Sequence, residues 1–341
     1  MKHVLFATTA LIATASVAAA EVKFSGYGRF GIGYQENRSG TVSTVGGASA
    51  TGVDTDDTIL VSRFRLNIDG IVETDNGVRF ESRVRLQADE NSGNGEANEA
   101  GFNGARFSVI FGGLRVDAGN VSGAFDNSDL YFGNEPGLEE FLGQYSGVDY
   151  DFLEYSSTGS GSNAVFFQYA VGDFAFAASY DQRTFADAAA AGSSTSNADR
   201  WDISATYIFN NYSATLIYGQ TEAAAGGDKQ DLIVLALGAE FGDFSGTLFV
   251  GRDGDTPTND FGEETDGTAY GASLAYNLGA ATTITAAYGD GSAEGDTQQY
   301  GVGAIYDLGN GATLRGAVGR EKVGRAGEAQ TIADFGVRFD F

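Results

Sequence analysis

The sequence predicts an all-β fold, a transmembrane antiparallel β-barrel of sixteen strands. Three observations carry this prediction: polar and apolar residues alternate, short turns alternate with long loops, and aromatic residues stand at the ends of the apolar faces. Side chains of a strand point to opposite faces with period two, so alternation gives each strand one polar and one apolar face. In a membrane barrel the apolar face contacts lipid and the polar face lines a water-filled pore.

The alternation is clearest between residues 59 and 89. Arg63 and Arg65 alternate there with Phe64 and Leu66, and a second arginine row follows in the next segment. A soluble sheet would instead bury the apolar face over a core and turn the charged face to bulk water. These two segments fit both architectures, so the rest of the chain has to decide between them.

Sixteen segments of the chain alternate in this way. They cover residues 22–35, 59–70, 78–89, 105–111, 114–119, 164–170, 174–181, 201–209, 212–220, 232–241, 244–251, 268–278, 282–289, 298–308, 312–320 and 331–341. Short Gly/Asn/Asp turns join the two strands of a hairpin, and longer polar stretches separate the hairpins, as in outer-membrane barrels. An even strand number lets the last strand pair with the first. A strand-like piece at 148–157 leaves eighteen strands as an alternative.

Aromatic residues mark the ends of the apolar faces. Tyrosine and tryptophan favour a membrane–water interface, where the ring is half buried and its polar tip is wet. Ordinary pairing of aromatic residues between strands is the alternative explanation. The residues concerned are Trp201, Tyr207, Phe209, Tyr212, Tyr218, Tyr270, Tyr276, Tyr288, Tyr300 and Tyr306.

Composition excludes several classes of function. The chain has no cysteine, so a disulfide framework is excluded, and its only histidine is His3. Without a further histidine, His-dependent hydrolysis and His-ligated zinc are excluded beyond the N-terminal segment. A net charge of −26 repels nucleic-acid phosphates, so no nucleic-acid partner is expected.

The N-terminal segment has the features of a secretory signal peptide. Lys2 and His3 precede a mostly apolar stretch at 4–17, and small residues at 18–20 suit cleavage before Glu21. We therefore predict a signal peptide at 1–20 and a single barrel domain at 21–341. The apolar stretch is too short for a good membrane-spanning helix.

Five segments resemble Gram-negative general porins, most of all the sixteen-stranded trimeric porins of Rhodobacter-type alphaproteobacteria. They are Glu21–Gly26, Ser62–Arg65, Ala177–Ser179, Ala304–Ala312 and Asp334–Phe341. The resemblance covers essentially all of residues 21–341, and its specificity comes from the order and spacing of the segments. It implies a passive channel for ions and small hydrophilic solutes in the outer membrane of a Gram-negative bacterium. It also implies a homotrimer in contact with outer-membrane lipid and lipopolysaccharide.

The same resemblance implies a pore constriction. In these porins the third long loop folds into the barrel, and its acidic residues face basic residues on the wall. The longest connection here spans residues 120–163, and Phe341 corresponds to the terminal assembly signal. The expected basic wall is Arg29, Arg63, Arg65, Arg83 and Arg85, and the expected loop acids are Asp126, Asp129, Glu135, Glu139 and Glu140.

Some alternatives stay open at this stage. No cofactor is required, but carboxylate clusters could hold Ca²⁺, and Asp149 and Asp151 are the candidate ligands. The wall arginines could simply pair with Asp69, Glu81 and Asp89 on neighbouring strands. A substrate-selective channel of the same fold, a membrane-barrel enzyme and a β-sandwich adhesin are the alternative functions; no convergent catalytic set supports the enzyme.

Overall fold

The computed structural model describes residues 20–43, 49–91, 96–186, 195–222, 229–254 and 264–341. The predicted signal peptide lies outside these residues except for Ala20. The strands in chain order are β1 (Glu21–Gln35), β2 (Ser39–Ser43), β3 (Ser49–Asp54), β4 (Thr58–Glu73), β5 (Arg79–Asn91), β6 (Glu96–Ala97), β7 (Gly101–Phe102), β8 (Arg106–Phe111), β9 (Leu114–Gly119), β10 (Ala164–Val171), β11 (Phe174–Ala186), β12 (Thr195–Phe209), β13 (Tyr212–Thr221), β14 (Gln230–Phe241), β15 (Phe244–Gly254), β16 (Gly267–Leu278), β17 (Thr282–Gly291), β18 (Thr297–Gly309), β19 (Ala312–Val323) and β20 (Gln330–Asp340).

Sixteen of these strands form one closed antiparallel barrel: β1, β4, β5 and β8 to β20. Each of the sixteen contains or overlaps one predicted segment, so the predicted strand number is confirmed. Several strands run further toward the long loops than predicted: β11 continues to Ala186 and β15 to Gly254. The strands β2 and β3 form a separate hairpin inside the first predicted loop.

The barrel closes because β1 pairs with β4 on one side and with β20 on the other. At the seam, the Gly26 amide donates to the Phe341 carbonyl at 2.8 Å, and the Phe341 amide donates back at 3.0 Å. Closure removes the unpaired strand edges that a membrane interior would not tolerate. Phe341 also stacks on Phe64, with ring centroids 6.0 Å apart.

The alternative of eighteen strands is wrong. Residues 148–157 contain no strand, because their backbone amides bond to side chains instead of to a neighbouring strand. The amides of Asp149 and Tyr150 donate to the Asp253 carboxylate, and the Tyr155 amide donates to Asp126. Phe152 and Leu153 are both buried, so this piece also lacks the inside–outside alternation of a wall strand.

The apolar stripe of every barrel strand faces outward. Phe64 and Phe80 are exposed on this face, and so are most of the predicted interfacial aromatics. Aromatic pairing occurs on the same face: Trp201 meets Tyr218 edge-on, and Phe244 stacks on Tyr276. A wall that is apolar outside and polar inside is what lipid around a hydrated lumen requires. Among the described residues, no helix is long and apolar enough to cross a membrane.

Candidate pore constriction

The connection between β9 and β10, residues 120–163, packs on the inner face of the barrel. We call it the long loop; it contains the one-turn helix α1 (Asp129–Phe132). Its Phe125 and Tyr131 form a buried cluster with the inward-facing side chains of Ile217, Leu232 and Val234. The two loop rings meet edge-on at 5.7 Å. Burial of these apolar side chains holds the loop against the wall.

Wall carboxylates fix the loop backbone at separate points. Asp334 on β20 accepts the amides of Leu138, Glu139 and Glu140 at 2.8, 2.7 and 3.0 Å. Asp202 on β12 accepts the Ala124 amide at 2.8 Å. Hydrogen bonds to an ionised acceptor are stronger than neutral ones. The loop is therefore tied to strands on both sides of the lumen.

Glycines of the wall make room for the loop. A Cβ added at Gly219 would lie 2.7 Å from the Phe125 ring, and one at Gly301 would lie 2.3 Å from the Phe141 ring. At Gly271 the obstacle is backbone, because the added Cβ would lie 2.0 Å from the Gln144 carbonyl oxygen. The inner wall thus approaches the loop more closely than any strand with side chains would allow.

The loop tip brings carboxylates to the arginines of the wall. Glu139 forms ion pairs with Arg29 and with Arg63, the second at 3.1 Å. The Arg29 guanidinium also donates to the Leu138 carbonyl at 3.0 Å. Glu140 pairs with Arg38 at 2.9 Å. One predicted acid, Glu139, therefore meets two predicted basic residues, whereas the partner of Glu140 was not among the predicted residues.

Other predicted wall arginines bind carboxylates of neighbouring strands. Arg83 makes a two-pronged contact with Asp69, at 2.6 and 3.0 Å. Arg63 contacts Asp89 as well as Glu139. Pairing of wall arginines with carboxylates of neighbouring strands, the alternative given above, thus occurs together with the loop contacts. The Arg63 side chain makes both kinds of contact.

Arg65 and Arg85 have neutral partners. Arg65 donates to Gln87 at 2.5 Å, and Arg85 donates to Asn67 at 2.9 Å. Both also donate to the Ser157 hydroxyl of the long loop, at 3.3 and 2.7 Å. At an effective dielectric near 20, two unit charges about 6 Å apart repel by roughly 3 kcal/mol. Neutral acceptors offset only part of that repulsion.

Three predicted loop acids do not reach the arginines. Asp126 accepts the Tyr155 amide within the loop, and Glu135 accepts the Tyr145 hydroxyl at 3.0 Å. Asp129 is exposed at the first position of α1. In the part of the chain that the structure describes, none of the three lies within 4 Å of an arginine or lysine nitrogen.

Sequence reasoning missed several residues of this region. Arg38 lies in a connection outside the barrel strands, and no periodicity marks it. Arg106 continues the inward arginine row on β8, so the alternation of that predicted strand could have revealed it. Tyr27 faces the lumen under the Arg65 and Arg338 guanidinium groups, at 5.1 and 4.1 Å from its ring centroid.

The candidate calcium ligands do not lie together with a third carboxylate. Asp151 forms an ion pair with Arg200 at 3.3 Å, and the side chain of Asp149 is exposed. Over the described residues, no group of three or more potential ligand side chains is close enough to hold a metal ion. Calcium binding by Asp149 and Asp151 stays a prediction.

A closed barrel with an apolar exterior, a charged interior and a long loop packed on its inner wall defines an outer-membrane channel. The chain belongs to the Gram-negative porin family, whose model matches residues 7–325. It is a channel for passive diffusion and not an enzyme.

Relatives of known sequence and structure agree with this assignment. A porin from Fuscovulum blasticum is 32% identical over 327 residues, covering 94% of this chain and all of that protein. One engineered variant of Rhodopseudomonas blastica porin superposes with a TM-score of 0.72 at 27% identity. A second variant gives 0.69 at 28%. Each structure covers 94% of this chain and 100% of its own.

Proposed function

We propose that Glu139 and Glu140, facing Arg29, Arg38 and Arg63, form the constriction that limits solute size and charge. The observation that carries this proposal is the position of Glu139, which contacts arginines of two adjacent strands, β1 and β4. These paired charges of loop and wall lie at the lumen, where their local field orients water and polar solutes. An apolar solute would displace oriented water without replacing its interactions, so it is disfavoured.

Ion selectivity should change with pH through the loop acids. Burial raises the pKa of Glu139 and Glu140 above the usual range, against the opposing effects of Arg29 and Arg38. As pH falls toward 4, these acids protonate earlier than ordinary glutamates, which have a pKa of about 4.3. We expect the cation-to-anion permeability ratio, obtained from reversal potentials in planar bilayers under a KCl gradient, to drop about twofold.

The direction of the two pKa shifts distinguishes this change in ion selectivity from release of the long loop. Because both pKa values are raised in the folded protein, protonation stabilises the docked loop, and this stabilisation is lost as pH rises through the folded pKa values. The selectivity change on acidification therefore reflects charge and not undocking. The double variant Glu139→Gln/Glu140→Gln should show no such change between pH 7 and 4. If it titrates like the parent protein, other groups control selectivity; absence of any conductance would contradict the channel itself.

We also propose a homotrimer that associates through the outer face of β19, β20, β1, β4 and β5. Within the described residues, these strands turn only Tyr34 outward among their tyrosines and tryptophans. The opposite wall, β10 to β18, presents Tyr169, Trp201, Tyr218 and further interfacial rings. An outer face that has almost no tyrosine or tryptophan but is rich in phenylalanine suits contact with another subunit. Contacts with lipopolysaccharide stay a prediction.

Tryptophan quenching by brominated lipid tests this subunit contact. Phe64→Trp and Leu216→Trp, each in a Trp201→Phe background, place one ring on β4 and one on the opposite wall, at outward positions that are 43% and 49% exposed in one chain. Contact between subunits shields the first ring and leaves the second in lipid. We expect strong quenching at position 216 and weak quenching at position 64; equal quenching would show that both positions face lipid.

A further inference from the structure

Three arginines on adjacent strands of the inner wall have no carboxylate partner. Within the described residues, Arg65 on β4, Arg85 on β5 and Arg106 on β8 have no carboxylate oxygen within 4 Å. Their neighbours Arg63 and Arg83 do form such pairs. The wall therefore carries local positive charge that the loop acids do not neutralise.

These three side chains converge on one stretch of the long loop. The hydroxyl oxygen of Ser157 accepts hydrogen bonds from Arg65 at 3.3 Å and from Arg85 at 2.7 Å. The Tyr155 ring lies 4.5 Å from the Arg85 guanidinium carbon and 5.8 Å from that of Arg106. Arg85 is thus the central member, since it shares a contact with each of the other two.

Several hydrogen-bond donors in this cluster have no acceptor. The Ser157 oxygen already accepts two bonds, so its own hydrogen has to point elsewhere. The Tyr155 hydroxyl and the Arg106 Nε are buried and have no hydrogen-bond partner. Buried polar groups normally find partners, so unpaired donors beside three positive charges indicate a missing acceptor that carries negative charge.

We propose that Arg65, Arg85 and Arg106, with Tyr155 and Ser157, bind a small oxyanion of the phosphate class. Guanidinium groups match such anions because their N–H donors form a planar fork and stay charged. The Tyr155 and Ser157 hydroxyls of the loop add uncharged hydrogen-bond donors on the side of the anion that faces away from the wall. The inference deepens the proposed function and rests on it, since a solute reaches this site through the open lumen.

Calorimetry with inorganic phosphate tests the site on the full-length protein in detergent, at constant ionic strength. We expect saturable binding of one phosphate per chain, and at least tenfold weaker binding in Arg85→Gln. The matched control is Arg79→Gln, which removes the same charge from the same strand, about 20 Å away along it. Arg79 is paired with Glu81, so this variant should keep the parent affinity.

A second variant tests the site in case Arg85→Gln does not fold. Ser157→Ala removes only a loop hydroxyl and should also weaken phosphate binding. Planar-bilayer currents measured in parallel separate this inference from the channel function. A protein that conducts ions but does not bind phosphate refutes only the site. A protein without conductance refutes the proposed function. Equal weakening by Arg85→Gln and Arg79→Gln, or equal competition by chloride at the same ionic strength, would show diffuse charge attraction and overturn the site.

Discussion

Replacing Asp334 by alanine is expected to release the tip of the long loop. The variant leaves the amides of Leu138, Glu139 and Glu140 without their shared acceptor. An unsatisfied buried donor costs about 1–3 kcal/mol, and water in the lumen will rehydrate some of these groups, so we expect a loss of about 3 kcal/mol in loop docking. Hydrogen exchange of the peptide around residues 136–142 should then accelerate about a hundredfold.

Two further variants serve as comparisons for Asp334→Ala. Asp334→Asn keeps an oxygen acceptor without the charge and should give an intermediate exchange rate. Asp340→Ala removes a carboxylate from the same face of β20, where it pairs with Arg338 instead of the loop. It should leave loop exchange unchanged. Protection that survives in Asp334→Ala would mean that apolar burial alone holds the tip.

Replacing Gly271 by alanine is expected to destabilise the whole barrel. The new methyl carbon would lie 2.0 Å from the Gln144 carbonyl oxygen and 2.7 Å from that of Tyr288. Gln144 has little freedom to retreat, because its side chain bonds the Leu130 and Tyr131 carbonyls at 2.7 and 2.9 Å. Overpacking against rigid backbone falls at the upper end of the usual range, about 3 kcal/mol. Thermal unfolding followed by circular dichroism in detergent measures the change.

Gly101→Ala serves as the comparison. Its added methyl group would meet nothing closer than the Thr158 side chain at 3.7 Å, an ordinary contact. We expect its unfolding temperature to stay close to that of the parent protein. A similar drop in both variants would point to the conformational preference of glycine and not to the contact with the loop.

The barrel could be predicted from the sequence because each strand carries its own signal. Alternation with period two depends only on neighbouring residues and on the two media that the wall separates. Residues 59–70 and 331–341 show this on their own: their arginines and aspartates face inward and their phenylalanines outward. The even number of such segments then allows the last strand to pair with the first in a closed antiparallel sheet.

The seating of the long loop could not be predicted in this way. By alternation alone, Asp334 is one more inward polar residue of the last strand, and nothing local connects it to Leu138. Gly271 and Gly301 lie within strands, and no neighbouring residue connects them to the loop. Contacts between distant segments produce no periodic pattern in the sequence. The resemblance indicated that the loop lies inside the barrel, but not which side chains hold it.

The bond between Leu138 and Asp334 joins residues 196 positions apart in the chain. The tip of the long loop is therefore anchored by the strand that closes the barrel against β1, while other parts of the loop are held by β12 and β15. A chain lacking β20 would keep the contacts of the loop with β12 and β15 but lose the Asp334 acceptor for the tip. Closure of the barrel and placement of the loop tip thus depend on the same strand.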